Sequence, residues 1–525
     1  MIKKWIPLAV FAGLAIGTSM AAEKPNVLFI AVDDLKPDLG NYGNTLVKTP
    51  NFDRLAAMGV TFTNSHCNQA VCGPSRASLM TGLRPDRTRV HDLKTVCREV
   101  SPWITTIPEH FKNNGYVSVG TGKIYDPRCV DKKSDEPSWS RPFRLYNLDY
   151  NDQFPEPVAA AYQGAAFHQA LKEMTAEGKK GYGPIYKGLV KRDLHPAVES
   201  VDVPDDAYTD GAIRKQGVKY LRELGGQGGK EKPFFVAVGF KKPHLPFVAP
   251  KKYWDMYNRE DMPLAEFKKH AENSPDFAYH NFPELRSYSG IPAEGPLSDA
   301  QSRELIHGYY ACISYIDAQI GMLLDELEQR DLMKNTIIVV WGDHGWHLGD
   351  HGLWAKHTNY EQSTRAPLMF AGPGIQKGKS SAAPTEFVDI FPTLCDLAGI
   401  PQLENLDGQS AKPILDGSKE QVDDYAVSQF GRGKAMGYAF RDKQYRYIVW
   451  VNGDKASDGT TTPAAELGDK VKAEELYDYK ADPLETKNII KDPEQAERVK
   501  ALRATADNFL KQQHSRIAKQ TASAK

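Results

Sequence analysis

The chain has 525 residues, with 66 lysines and arginines against 67 aspartates and glutamates, a formal net charge of −1. Such a balance gives no general pull toward nucleic acid or an anionic membrane, so any anion it binds must meet positive charge kept local in a pocket. With 41% hydrophobic and 25% charged residues the composition is that of a globular protein, and the length exceeds what one core usually serves, so two domains are expected.

Lys3 and Lys4 precede an apolar run from Trp5 to Ile16, and Ser19-Met20-Ala21 fits a small-x-small cleavage site. Residues 1–21 therefore read as a secretory signal peptide, the run being short of the roughly 20 apolar residues that span a bilayer. No cysteine stands directly after it, so a lipoprotein anchor is not expected. The reading is an exported protein, periplasmic or secreted, with no membrane anchor once the signal is cleaved. The six cysteines are Cys67, Cys72, Cys97, Cys129, Cys312 and Cys395. They do not form a disulfide scaffold, although a Cys97–Cys129 bridge is compatible with the sequence.

Asn26 to Val32 is a continuous apolar run of strand length that ends in Asp33-Asp34, the pattern of a strand buried on both faces. A helix follows from Thr49 to Gly59, then a strand over Val60 to Phe62. Ala70 to Gly82 reads as a loop turning into a helix. Pro74 suits the first helical position, Cys72 lies just before it where free N–H groups favour an anion, and Arg76 is one turn further on. A lone cysteine is more often core than site. Thr106 to Asn114 is helical, and Tyr116 to Val119 is a strand running to Gly120-Thr121-Gly122-Lys123.

From 125 to 204 the pattern weakens and reads as loops around a cleft. Asp206 to Leu224 is helical again. The strand Phe234 to Phe240 leads into Lys241-Lys242-Pro243-His244, and 250–300 is loop-rich. Leu305 to Arg330 is a long amphipathic helix. Thr336 to Trp341 is a strand ending in Gly342-Asp343-His344-Gly345, and Glu386 to Leu397 is a helix closed by Gly399. After about 424 come short antiparallel strands around Val427, Ala439-Phe440, Tyr445 to Trp450 and Glu475 to Tyr477. A turn is expected at Gly453-Asp454 and a last helix over roughly 493–513. The expected fold class is thus α/β: a large mixed, mostly parallel sheet between helices in a catalytic domain, 22–424. A smaller C-terminal α+β domain, 425–525, carries an antiparallel sheet and the terminal helix.

Three strand ends carry polar groups: Asp33 and Asp34, Lys123, and Asp343 with His344. In open α/β sheets functional groups gather beyond such ends. Three carboxylates suit a hard cation, Ca²⁺ or Mg²⁺, and no cysteine pair has zinc spacing.

The string Cys72-Gly73-Pro74-Ser75-Arg76, followed by Ala77-Ser78-Leu79-Met80-Thr81-Gly82, resembles the signature of the type I, formylglycine-dependent sulfatases of the alkaline phosphatase superfamily. Further segments are similar to the iduronate-2-sulfatase branch: Val32-Asp33-Asp34-Leu35, Lys242-Pro243-His244, Asp343-His344-Gly345-Trp346, Trp354-Ala355-Lys356, Asp389 to Leu394, Met436-Gly437-Tyr438 and Tyr445-Arg446-Tyr447. The resemblance implies an alkaline-phosphatase-like sulfatase fold and oxidation of Cys72 to formylglycine by a maturation enzyme. It implies one calcium ion held by Asp33, Asp34, Asp343, His344 and the modified Cys72; a histidine is unusual for calcium, which leaves room for another metal.

It further implies that one hydroxyl of the hydrated aldehyde attacks the sulfur of a sulfate ester, with Arg76, Lys123 and Lys356 around the sulfuryl oxygens and His244 protonating the departing sugar oxygen. The second hydroxyl then loses its proton, and sulfate is expelled. Asp126 stands where the iduronate-2-sulfatase branch has histidine, and as a carboxylate it can accept that proton. The leading reading is therefore an exported carbohydrate sulfatase acting on a sulfated sugar or polysaccharide. The alternatives are a phosphoester or phosphonate hydrolase of the same superfamily, and a non-catalytic sulfoglycan-binding protein in which Cys72 stays unmodified.

Overall fold

A computed structural model describes residues 24–145, 162–180, 182–226, 232–280, 283–455 and 461–523. The expected signal peptide lies outside the described residues.

Seven strands make the main sheet: β1 (Asn26–Val32), β2 (Gly59–Phe62), β3 (Val117–Gly122), β4 (Phe234–Phe240), β5 (Thr336–Gly342), β6 (Leu368–Ala371) and β7 (Lys379–Ser381). Their order is β7-β2-β6-β5-β1-β4-β3. β1 is central and pairs in parallel with β4 and β5, whereas β6 runs antiparallel to both β2 and β5. The sheet is mixed and mostly parallel.

The continuous apolar run of β1 reflects burial on both faces. Leu28, Ile30 and Val32 enter one apolar cluster, and Val27, Phe29 and Ala31 the other, as a side-chain period of two requires. The helices Thr209–Leu224 and Asp299–Gln329 cover the first face; Cys72–Thr81, Ile107–Asn113 and Ile390–Ala398 cover the second. The long helix starts six residues before Leu305 because Ser298 and Gln301 form a reciprocal capping box.

The stretch 125–204 is more ordered than its composition predicts. Helices Ala165–Ala176 and Tyr182–Lys191 lie there, and the strand Val198–Val201 pairs with Phe247–Pro250. Phe167, Ala170, Leu171 and Met174 follow helical spacing and join the main cluster; the surrounding lysines and glycines obscure that stripe in the sequence. No disulfide forms: all six cysteines are free, and Cys97 donates its backbone N–H to the Cys129 carbonyl at 2.9 Å.

Four antiparallel strands close the chain, β8 (Ala426–Arg432), β9 (Ala435–Arg441), β10 (Tyr445–Asn452) and β11 (Val471–Asp478), in that order. Where a turn at Gly453-Asp454 is predicted, Asp454–Lys455 pairs instead with Thr461–Thr462. The helix Ala496–Ser523 lays Val499, Ala506, Phe509 and Leu510 on the sheet's apolar face. β8 also braces the loop before Cys72. Gln429 N donates to Asn68 O (2.8 Å), and Ser428 Oγ donates to Cys67 O (2.6 Å). No helix of the described residues is long and apolar enough to cross a membrane.

Candidate active site

The ends of β1, β3 and β5 deliver their polar residues to one place, and the helix Cys72–Thr81 begins there. Cys72 is its first residue, so the helix starts two positions before Pro74. Gly73 is required for packing: a Cβ there would lie 2.4 Å from Cys129 Sγ. Cys72 Sγ is 3.3 Å from His344 Nε2. That ring donates through Nδ1 to the Gly345 carbonyl (2.9 Å), which leaves the Nε2 lone pair facing inward. The same Nε2 lies 3.4 Å from Asp34 Oδ1 and 3.5 Å from Asp343 Oδ2.

Asp34 takes a left-handed backbone, φ 54°, held by its own N–H on Asp343 Oδ1 (3.0 Å) and by Tyr309 O–H on its carbonyl (2.6 Å). Such a conformation is strained for a residue with a side chain, and here it turns a second carboxylate toward the first. Asp33, Asp34, Cys72 and His244 present ligand atoms within 4.8 Å of one another, and so do Cys72, Asp343 and His344. Carboxylate oxygens with one inward imidazole nitrogen form a donor set that fits a hard divalent cation.

Cations surround the carboxylates. Lys123 Nζ bonds Asp33, and Lys356 Nζ reaches both oxygens of Asp34 at 2.8 Å. Burial opposes the charge on Asp33, but Lys123 and then Arg76 hold its pKa well below the usual range. Burial dominates at Asp34 and lifts it to about 7. It also raises the Cys72 thiol well above its ordinary value, so an unmodified thiol there is a poor nucleophile at neutral pH.

Two of the expected site residues are held by neighbouring groups. Arg76, expected beside the sulfuryl oxygens, is fully buried and committed elsewhere. Its Nε donates to Asp343 Oδ2 (3.0 Å), Nη2 to Asp33 Oδ1 (3.0 Å), and Nη1 to the carbonyls of Lys123 and Ile124. It clamps two strand ends together. Asp126, expected to accept a proton, is bound by Arg128 through Nε (2.9 Å), Nη2 (2.8 Å) and the backbone N–H (3.0 Å). Burial opposes its charge, yet the Arg128 bonds and then Lys123 hold it at about 2, too low for a useful base near neutrality.

His244 lies across the cluster, with Nε2 3.9 Å from Asp34 and 3.3 Å from Glu284 Oε1. Its Nδ1 donates to the Leu245 carbonyl (2.7 Å), and Lys242 Nζ ties down the carbonyls of His244 and Pro246. Burial and then Lys356 lower its pKa to about 4. Glu284 also lies 3.5 Å from Lys356 Nζ; burial opposes its charge, but Lys356 and His244 bring it to about 2. Neither Glu284 nor Arg128 was picked out from the sequence. Glu284 sits in a loop with no period, whereas Asp126-Pro127-Arg128 was a readable close pair of opposite charges.

The family model described as Sulfatase matches residues 25–400, and that described as N-sulphoglucosamine sulphohydrolase, C-terminal, matches 349–458. Iduronate 2-sulfatase of Mus musculus is 31% identical, over 92% of this chain and 94% of its own. A solved structure in complex with its substrate D-glucosamine-2-N,6-O-disulfate has a TM-score of 0.68 at 21% identity, covering 94% of this chain and 98% of that one. The phosphonate monoester hydrolase of Agrobacterium radiobacter gives 0.67 at 24% identity, covering 94% and 96%. At such identities these two likenesses concern the fold alone.

Proposed function

The chain belongs to the sulfatase family, of the alkaline phosphatase superfamily, and on that premise we propose that it is an exported, formylglycine-dependent hydrolase of O-sulfate esters on a sulfated sugar or polysaccharide. The observation that carries this reading is the position of Cys72. It opens a buried helix beside three carboxylates and an inward imidazole nitrogen, with Lys123, Lys356 and His244 around it.

Formylglycine at position 72, made by a maturation enzyme, would supply a hydrated aldehyde: one hydroxyl as nucleophile toward sulfur, the other as the group through which sulfate is released. Asp33, Asp34, Asp343 and His344 would hold one calcium ion, whose charge stabilises oxygens that become more negative during transfer. The remaining work falls to side chains of the chain. Arg76 fixes Asp33 and Asp343, and Lys123 and Lys356, held on Asp33 and Asp34, would offer their remaining N–H donors to the sulfuryl oxygens.

His244 is assigned the proton donated to the leaving sugar oxygen, from Nε2, because Nδ1 is held by the Leu245 carbonyl. Burial and then Lys356 depress this ring, and a sulfate ester bound against Lys356 would offset the second of these, which moves the ring toward its protonated form. The test is sulfate release from a panel of sulfated mono- and oligosaccharides by protein matured in a competent host. Formylglycine-bearing protein that releases sulfate from none of them would overturn the substrate class.

A further inference from the structure

The buried arginines among the described residues are paired: Arg76, Arg87, Arg441 and Arg446 each bond a carboxylate. Arg432, the last residue of β8, is different. Its guanidinium stacks on the Phe430 ring at 4.4 Å, Nη2 donates to the His357 carbonyl, and Nη1 reaches only the Gly431 carbonyl at 3.3 Å. Nε is buried with no hydrogen-bond partner, and no carboxylate among the described residues pairs with the group. Burial lowers its pKa to about 10, which still leaves it charged at neutral pH. A half-buried cation without a counter-ion is costly to keep.

Its place explains the cost. His357 follows Lys356 directly, and its N–H donates to the carbonyl of Ala70 at 3.2 Å, two residues before Cys72. β8 thus runs from the brace at Cys67 and Asn68 to the segment that carries Lys356, which Arg432 reaches through the His357 carbonyl. We infer that Arg432 receives a second anionic group of the sugar, a carboxylate or a further sulfate carried near the ester to be cleaved, an inference that rests on the carbohydrate-sulfatase reading. The planar fork of a guanidinium suits the paired oxygens of either group, and its unspent N–H donors supply charge-assisted hydrogen bonds. The C-terminal sheet then serves in selecting substrate as well as in support.

The test measures binding on a Cys72→Ala background, which leaves no nucleophile at position 72, by calorimetry with three sugars: a neutral hexose monosulfate, a uronate monosulfate and a hexosamine disulfate. The protein should bind one of the two dianionic sugars more tightly than the neutral-ring monosulfate. Arg432→Ala should cut that preference by about 10- to 100-fold, the range typical of charge-assisted bonds, with Arg432→Lys in between. Which dianionic sugar loses affinity tells carboxylate from sulfate. Absence of the preference in the parent protein, or an equal loss on all three sugars in Arg432→Ala, would overturn the inference and leave Arg432 as a brace for His357. Should Arg432→Ala fail to fold, the parent's preference and the Arg432→Lys variant still decide. Failure of the matured enzyme to release sulfate from any sugar would count against the substrate class instead.

Discussion

Cys72 lies within reach of Lys123, Lys356 and His344, and burial keeps its thiol protonated. Those surroundings suit an anionic reaction at position 72, but not a thiolate nucleophile. Peptide mass spectrometry over residues 65–84 should therefore find formylglycine in protein made with a maturing enzyme. Cys72→Ser should fold and show no turnover, because a serine ester lacks the second hydroxyl needed for release. Fully active protein carrying only thiol would disprove the assignment. His244 allows a sharper test. An aryl sulfate leaves as a stabilised phenolate, whereas a sugar oxygen must be protonated, and general acid catalysis contributes about 10²–10⁴-fold. His244→Ala should then harm kcat/KM on the sugar far more than on an aryl sulfate, while Lys356→Ala weakens both. Equal losses for His244→Ala would make it a positioning residue. Residue types were legible in the sequence here, but directions were not: nothing in Cys-x-Pro-Ser-Arg tells that Arg76 turns from the pocket to hold Asp33 and Asp343.

At the scale of elements, β1, β4 and β5 were legible because burial on both faces writes a continuous apolar run that ends in a polar residue, whereas β3 was legible from the Gly115 that closes the helix before it. β6 and β7 were not, since they have four and three residues and β7 is largely exposed, so no periodicity accumulates. The strand ends make a joint prediction. Asp33→Ala and Asp343→Ala each remove a carboxylate that Arg76 bonds, leaving the clamp half paired and the proposed cation site short of a charged ligand. Metal content by elemental analysis should fall with activity, the latter on the order of 10³-fold, as expected when several kcal/mol of charge stabilisation is lost. Metal retained at one per chain in both variants would show that the ligands lie elsewhere.

Across the whole molecule, the C-terminal sheet is joined to the rest of the chain through a buried charge network. Glu361, five residues after Lys356, bonds Arg446 and, at 3.1 Å, Arg441, both from the C-terminal sheet. Glu485 accepts the Glu361 N–H at 2.9 Å and lies 3.6 Å from Arg446. Tyr445-Arg446-Tyr447 stood out in the sequence as a matching segment, yet its partner was unreadable because Glu361 lies 85 positions away. Burial opposes the charge on Glu361, but Arg441 and Arg446 hold its pKa well below the ordinary 4.5. Removing one member of such a set typically costs 3–5 kcal/mol, because the others stay buried without compensation. Glu361→Gln should therefore melt several degrees below the parent at neutral pH. The sign with pH follows from the lowered folded pKa. The stabilisation is fully present above about 4.5, the unfolded value, and is lost as pH falls through it toward the folded one. Glu485, which burial raises to about 7, titrates the opposite way, and because the Glu361 charge adds to that rise, Glu361→Gln also lowers Glu485. The gap in melting temperature between parent and Glu361→Gln can therefore shift near pH 7 as Glu485 titrates, and it should narrow as the pH falls below about 4.5. A gap that does not change with acidification would mean that Glu361 joins the two parts by packing and neutral hydrogen bonds, and that its charge adds nothing to their union.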